Sequence, residues 1–100
     1  MLITTIVMAA VMYDTTGQTI EFSTSEGCES FTETFQGDCG VCLSPPGNFG
    51  SVLFSGISST QEVQIFNEAG CTSASLVGQG FGPACWDQGH TSIRSALVSC

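Results

Sequence analysis

EVQIF at 62–66, followed by AGC at 69–71, repeats an earlier TIEF at 19–22 that is followed by EGC at 26–28. In each copy another cysteine stands fourteen positions after the cysteine of this Gly-Cys pair. An apolar run, a Gly-Cys pair and an equal cysteine spacing thus recur in the same order. This order indicates that one structural motif has been duplicated within the chain.

Both copies also end in a second apolar run, SVLFSG at 51–56 and SALVSC at 95–100. Short runs rich in Val, Ile and Phe are typical of β-strands, and the glycine-rich GQGFGP at 78–83 predicts a turn. Neither copy is long enough to close a core alone, so we expect the two to share one. The sequence therefore predicts a mainly β, disulfide-stapled sandwich in one domain over 1–100, with a first motif at 19–56 and a second at 61–100.

Two segments allow more than one interpretation. As a strand, ESFTETFQ at 29–36 would place Phe31 and Phe35 on the same face as Glu33, whereas a short helix ending at Gly37 would gather the aromatic rings on one stripe. The apolar, uncharged residues 1–12 are too few to cross a bilayer. We expect residues 1–18 to be an N-terminal strand or a leader.

The charge of the chain is strongly one-sided. Nine acidic residues face one Arg and no Lys in 100 residues, which gives a net charge of −8. Because no set of basic residues can displace counterions from phosphates, nucleic acid and anionic membranes are excluded as electrostatic partners. Five of the acids lie in the first copy, where they either engage a basic protein or keep a secreted protein soluble. These are Glu21, Glu26, Glu29, Glu33 and Asp38.

Six cysteines in so short a chain are typical of an oxidised, secreted protein. CGVC at 39–42 is followed by LSPPG, which cannot form the helix of a thioredoxin-like site, and the other cysteines and His90 are too irregularly spaced for zinc. We therefore expect structural disulfides and no metal. The repeat predicts equivalent bridges in the two copies, Cys28–Cys42 and Cys71–Cys85, which leaves Cys39 to pair with Cys100.

The pattern V-x-I-F-x-x-x-x-C-x-S at 63–73, together with DQGHTSIRS at 87–95, resembles the βγ-crystallin Greek-key motif. Within that family the chain is most similar to small secreted fungal cysteine-rich proteins and killer-toxin-like proteins. The resemblance implies a sandwich of two Greek-key-like motifs that acts outside the cell in defence or host interaction.

Calcium-binding members of that family take ligands from the late turn, which Asp87, Thr91 and Ser92 match in this chain. Gln88 stands where a second carboxylate or Asn is usual, and calcium prefers about six to eight oxygen ligands. We therefore expect no calcium site and no cofactor. In the alternative interpretation, Asp87 and Thr91 cap a turn with their own side chains.

Trp86, Asp87 and Gln88 are the candidate ligand-binding residues. Trp86 would stack on the face of a sugar ring while the two polar neighbours bind its hydroxyl groups. Alternatively, Trp86 covers the disulfide at Cys85.

The material for catalysis is sparse. His90 and Arg94, with Glu62 or Glu68, form a trio similar to that of the guanyl-specific fungal ribonucleases. That family needs a second His or a Tyr-rich loop, whereas this chain has one His and one Tyr. We therefore expect a secreted, non-enzymatic binding protein, toxin-, effector- or lectin-like, whose partner is an extracellular glycan or surface protein. A small acidic secreted ribonuclease is the alternative.

Overall fold

The computed structural model describes residues 18–87 and 92–100, so the predicted N-terminal strand or leader lies outside the described residues except for Gln18. The protein is mainly β, as predicted, and a 3-10 turn at Ser73–Ser75 is the sole helical element among these residues. The strands are β1 Thr19–Ser23, β2 Phe31–Gln36, β3 Ser51–Ser55, β4 Glu62–Phe66, β5 Leu76–Phe81, β6 Ala84–Asp87 and β7 Ser95–Val98.

The strands form two antiparallel sheets with the order β2-β1-β3-β6 in the first sheet and β5-β4-β7 in the second. The strand β6 belongs to the second motif, yet it pairs with β3 of the first, with Trp86 opposite Val52. In return, Leu43 of the first motif bridges Ala96 of β7, and the two backbones exchange hydrogen bonds of 2.9 Å. Each motif therefore places one segment in the sheet of the other.

The two halves repeat each other's backbone conformation. Gly27 and Cys28 have φ angles of 85° and 57°, and Gly70 and Cys71 have angles of 88° and 53°. A cysteine at positive φ is unusual, because its Cβ crowds the backbone there. Its recurrence in both motifs supports the duplication inferred from the sequence.

The core lies between the sheets and is built from alternate strand residues of both motifs. Phe22 and Phe54 are fully buried from the first motif, as are Val63 and Ile93 from the second. Phe49 and Ile93 exchange backbone hydrogen bonds of 2.9 and 2.8 Å where the two motifs meet. Burying one large apolar side chain stabilises a fold by about 1.5–3 kcal/mol, so the shared core ties each motif's stability to the other.

Two of the three predicted disulfides are wrong. The structure contains Cys39–Cys100, as predicted, but it forms Cys28–Cys85 and Cys42–Cys71 instead of Cys28–Cys42 and Cys71–Cys85. The reason is that each motif places one segment in the sheet of the other. Cys85 lies on β6, which joins the first sheet beside Cys28, and Cys42 precedes Leu43, which joins the second sheet. The bridges are equivalent in the two halves, but each one connects different motifs.

The segment 29–36 contains a strand, not a helix. In β2, Phe35 lies opposite Ile20 and Glu33 lies opposite Phe22, so the inner face carries a carboxylate among aromatic rings. Glu33 is only half-buried, because β2 is the edge strand of its sheet. Charged residues on edge strands discourage pairing with other chains, and this explains the poor alternation of the sequence.

Candidate binding surface

Trp86 is partly buried and packs against the neighbouring sheet. A Cβ placed on Gly80 of β5 would lie 2.6 Å from Cζ2 of Trp86, and a Cβ on Gly78 would lie 3.2 Å from its Cζ3. The six-membered ring therefore lies directly against the backbone of β5 and contacts the core. Two glycines at alternate positions make room for this indole.

The indole Nε1 of Trp86 is buried and has no hydrogen-bond partner within the described part of the chain. A buried donor without a partner costs about 1–3 kcal/mol. The ring packs against β5 and the core, whereas Cys85, its neighbour on β6, points to the opposite face of the strand with its bridge. The predicted role of Trp86 in ligand binding stays a prediction.

Asp87 fixes a turn. Its Oδ1 accepts a hydrogen bond of 2.5 Å from the backbone N–H of Gly27, next to the Cys28–Cys85 bridge. In the other half, Oγ of Ser44 accepts the equivalent bond of 3.1 Å from the N–H of Gly70. Gln88, the third predicted ligand residue, lies outside the described residues. The structure therefore describes two of the three predicted residues, and a site formed by all three stays a prediction.

A different surface presents an aromatic ring to solvent. Phe81, at the end of β5, is 68% exposed, the largest exposure among the large apolar side chains that the structure describes. It lies opposite Glu62 of β4, and in the next row Gln79 lies opposite Gln64. Because Val63 of β4 is buried in the core, these neighbours point to the outer side of the sheet.

We call this the Phe81 face, defined by Phe81, Glu62, Gln64, Gln79 and Leu97, the residue opposite Gln64 on β7. The Nε2 of Gln64 donates a hydrogen bond of 3.4 Å to Oε1 of Gln79, so the two amides form a polar row beside the ring. The face thus combines one aromatic plate, two amides and one carboxylate on a sheet. This combination suits a ligand with an apolar face and hydroxyl groups at its edge.

The Phe81 face was not predicted from the sequence, because the glycine-rich segment 78–83 has the composition of a turn. In fact β5 extends to Phe81. The alternation of Gly78 and Gly80 with Gln79 and Phe81 is the period of a strand, and it could have indicated a flat face opposite the glycines.

The first sheet has no counterpart to the exposed ring. At the position equivalent to Phe81 it carries Gln36, opposite Thr19, and at the position of Gln79 it carries Thr34, opposite Glu21. The outer face of the first sheet is therefore a natural control for that of the second.

The described residues show no cluster for metal binding. No three His, Cys, Asp or Glu side chains in 18–87 and 92–100 are placed to hold a metal ion. Arg94 is exposed, and its backbone N–H donates to the carbonyl of Phe66 at 2.8 Å, whereas His90 and Thr91 lie outside the described residues. The predicted approach of His90, Arg94 and a Glu stays a prediction.

In the part of the chain that the structure describes, no helix is long and apolar enough to cross a membrane. Comparison with known proteins finds no counterpart: no family model, no curated protein and no solved structure matches the chain.

Proposed function

We propose that this protein is a secreted, non-enzymatic, lectin-like domain that binds an extracellular glycan through the Phe81 face. The observation that carries the proposal is the 68% exposed ring of Phe81 on the outer side of a sheet, next to the amides of Gln79 and Gln64. A ring exposed to this degree contributes little to the stability of the fold, whereas it can stack on the apolar face of a sugar. The amides and Glu62 are placed to bind sugar hydroxyl groups.

The disulfides and the net charge support the proposal that the protein acts outside the cell. Three disulfides use all six cysteines, and such bridges persist in oxidising compartments. The net charge of −8 disfavours nucleic acid and anionic lipid as partners but is compatible with a neutral glycan. The resemblance of 63–73 and 87–95 to the βγ-crystallin motif of killer-toxin-like proteins supports a role in defence or host interaction.

The proposal is tested on a glycan array with the protein displayed on multivalent beads. A single stacked sugar gives roughly micromolar to millimolar affinity, so a monomeric assay would miss it. We expect Phe81→Ala to abolish binding and Gln79→Ala to weaken it. Gln36→Ala, at the equivalent place on the first sheet, should bind like the parent protein.

Undiminished binding by Phe81→Ala would overturn the Phe81 face as the site. An array that stays blank with multivalent display would overturn glycan as the ligand class and favour a surface protein. The parent protein is also incubated with RNA. Cleavage that disappears in His90→Ala would replace the proposal with the ribonuclease alternative.

A further inference from the structure

A cavity of about 220 Å³ opens at the edge of the first sheet, away from the Phe81 face. Its apolar lining comes from Ile20, Phe35 and Leu43, and its polar lining includes Gln18, Gln36 and Asp38. Val41, also in the lining, is 51% exposed. Ligand pockets usually reach about 300–1,000 Å³, so this cavity has room for one ring system rather than a larger molecule.

Because the fold is repeated, this cavity can be compared with the equivalent position in the other half. Leu43 occupies the position in the second sheet that Trp86 occupies in the first, since they lie opposite Ala96 and Val52 on the equivalent strands β7 and β3. Phe35 likewise corresponds to Gly80, since they lie opposite Ile20 and Val63.

In the second half the indole of Trp86 therefore fills the space above a glycine. In the first half a leucine and a phenylalanine leave part of the equivalent space open. The open part of this space is bounded by the Phe35 ring and the Leu43 side chain, an apolar lining against which another flat ring can pack.

The polar lining sets the charge of the ligand. Asp38 is exposed and supplies the cavity's carboxylate, and Nε2 of Gln18 donates a hydrogen bond of 2.9 Å to its backbone carbonyl. Among the described lining residues there is no Lys or Arg, and the whole chain carries a net charge of −8. A cation is therefore favoured over an anion at the cavity mouth.

We propose that this cavity binds a small aromatic amine, a single ring system carrying a protonated amino group. The ring lies against Phe35 and Leu43, and the ammonium group faces the Asp38 carboxylate. The proposal concerns a second site and does not depend on the Phe81 face.

The test uses the full chain and three probes with the same ring: tryptamine, which is cationic, tryptophol, which is neutral, and indole-3-acetate, which is anionic. Binding is measured by titration in ¹H–¹⁵N NMR spectra. We expect shifts at Phe35, Leu43 and their neighbours, with tryptamine binding at ~0.1–1 mM and the two other probes more weakly.

Two variants separate the ring from the charge. Leu43→Trp enlarges a side chain that lines the cavity and should fill it, which reduces tryptamine binding at least tenfold. Asp38→Asn, an exposed change that the fold tolerates, should lower the affinity for tryptamine to that for tryptophol and leave tryptophol binding unchanged. Thr34→Ala, on the outer face of β2 next to Phe35, is the matched control and should bind tryptamine like the parent.

Absence of shifts around Phe35 and Leu43 at several millimolar tryptamine would overturn the site. Equal binding of indole-3-acetate and tryptamine would overturn the charge preference. Phe81→Ala should leave tryptamine binding intact, and Asp38→Asn should leave glycan binding intact, so the failure of one site is distinguishable from the failure of the other.

Discussion

Ser51 and Ser95 perform the same structural task in the two halves. The Oγ of Ser51 accepts a hydrogen bond of 2.9 Å from the N–H of Cys28 and donates one of 2.6 Å to the carbonyl of Ser25. The Oγ of Ser95 accepts one of 3.0 Å from the N–H of Cys71 and donates one of 2.6 Å to the carbonyl of Glu68. Both serines are fully buried, and each holds a turn whose cysteine has a positive φ.

We expect Ser51→Ala and Ser95→Ala each to lower the free energy of unfolding by about 1–3 kcal/mol, because each leaves a backbone donor and acceptor without its partner. The two losses should be similar, since the contacts are the same. Ser55→Ala is the control: its Oγ donates only a long bond of 3.5 Å to the Thr19 carbonyl, and the change should cost within about 0.5 kcal/mol. Urea unfolding measures all three, and a silent change at Ser51 or Ser95 would contradict their role.

The pairing of the cysteines can be tested by cleaving the chain between the two motifs. All three bridges, Cys28–Cys85, Cys39–Cys100 and Cys42–Cys71, join residues of the first motif to residues of the second. The chain has no Lys, so Thr60→Lys in the exposed linker creates a unique site for a lysine-specific protease. After cleavage, the two fragments should stay linked until they are reduced.

The discriminating version of this experiment carries Cys39→Ser and Cys100→Ser as well. With the bridges of the structure, the cleaved fragments remain linked on a non-reducing gel. With bridges inside each motif, Cys28–Cys42 and Cys71–Cys85, they would separate. Each bridge closes a long loop, with sequence separations from 29 to 61, so losing one should cost about 4 kcal/mol by the loop-entropy estimate.

The duplication was predictable from the sequence because it rests on local patterns: an apolar run, a Gly-Cys pair and a fixed spacing. The pairing of the cysteines was not, because it depends on which sheet receives Leu43 and β6, a choice made by long-range contacts. The same spacing of fourteen residues separates Cys28 from Cys42 and Cys71 from Cys85, whether the bridges lie within or between motifs. Equal spacing shows that the cysteines of the two copies are equivalent, but it does not determine which cysteine pairs with which.

The packing of Trp86 was not predictable for a related physical reason. The residue type allows either a sugar-stacking ring or a packed one, and burial depends on the strand that lies opposite, where two glycines of β5 admit its ring. The exposed strand position of Phe81 was not predictable either, because glycine lowers the β-propensity of its segment. Glycines that make room for a neighbouring ring cannot be told from turn glycines without the partner strand.

The contact of Trp86 with Gly80 predicts the direction in which Gly80→Ala changes the free energy of unfolding. Gly80→Ala would place a Cβ 2.6 Å from Cζ2 of Trp86, and such overpacking costs about 1–3 kcal/mol. Without this contact the substitution would stabilise the protein by about 0.4–1 kcal/mol, because alanine has less freedom in the unfolded chain. We expect destabilisation in thermal or urea unfolding, so a stabilised Gly80→Ala would contradict the packing.

A second substitution, at Trp86, should relieve the overpacking caused by Gly80→Ala. Trp86→Leu copies Leu43 and removes the ring that the new Cβ meets. The double variant should therefore be less destabilised than the sum of the two single variants, with a coupling of about 0.5–3 kcal/mol. Simple additivity would indicate that the two residues do not share the contact.

Trp86→Ala decides between packing and ligand binding. Since the ring is partly buried, lies against β5 and contacts the core, its removal should cost several kcal/mol, up to the ~3–5 kcal/mol typical of full burial of a large aromatic ring. Phe81→Ala removes another aromatic ring from the same half, but that ring is 68% exposed, so we expect a change within about 1 kcal/mol. Urea unfolding of both variants, together with the glycan assay on whatever remains folded, separates the two roles. If Trp86→Ala kept its stability and lost glycan binding while Phe81→Ala bound normally, the ligand site would lie at Trp86, Asp87 and Gln88, and Gln88→Ala should then weaken binding without affecting stability.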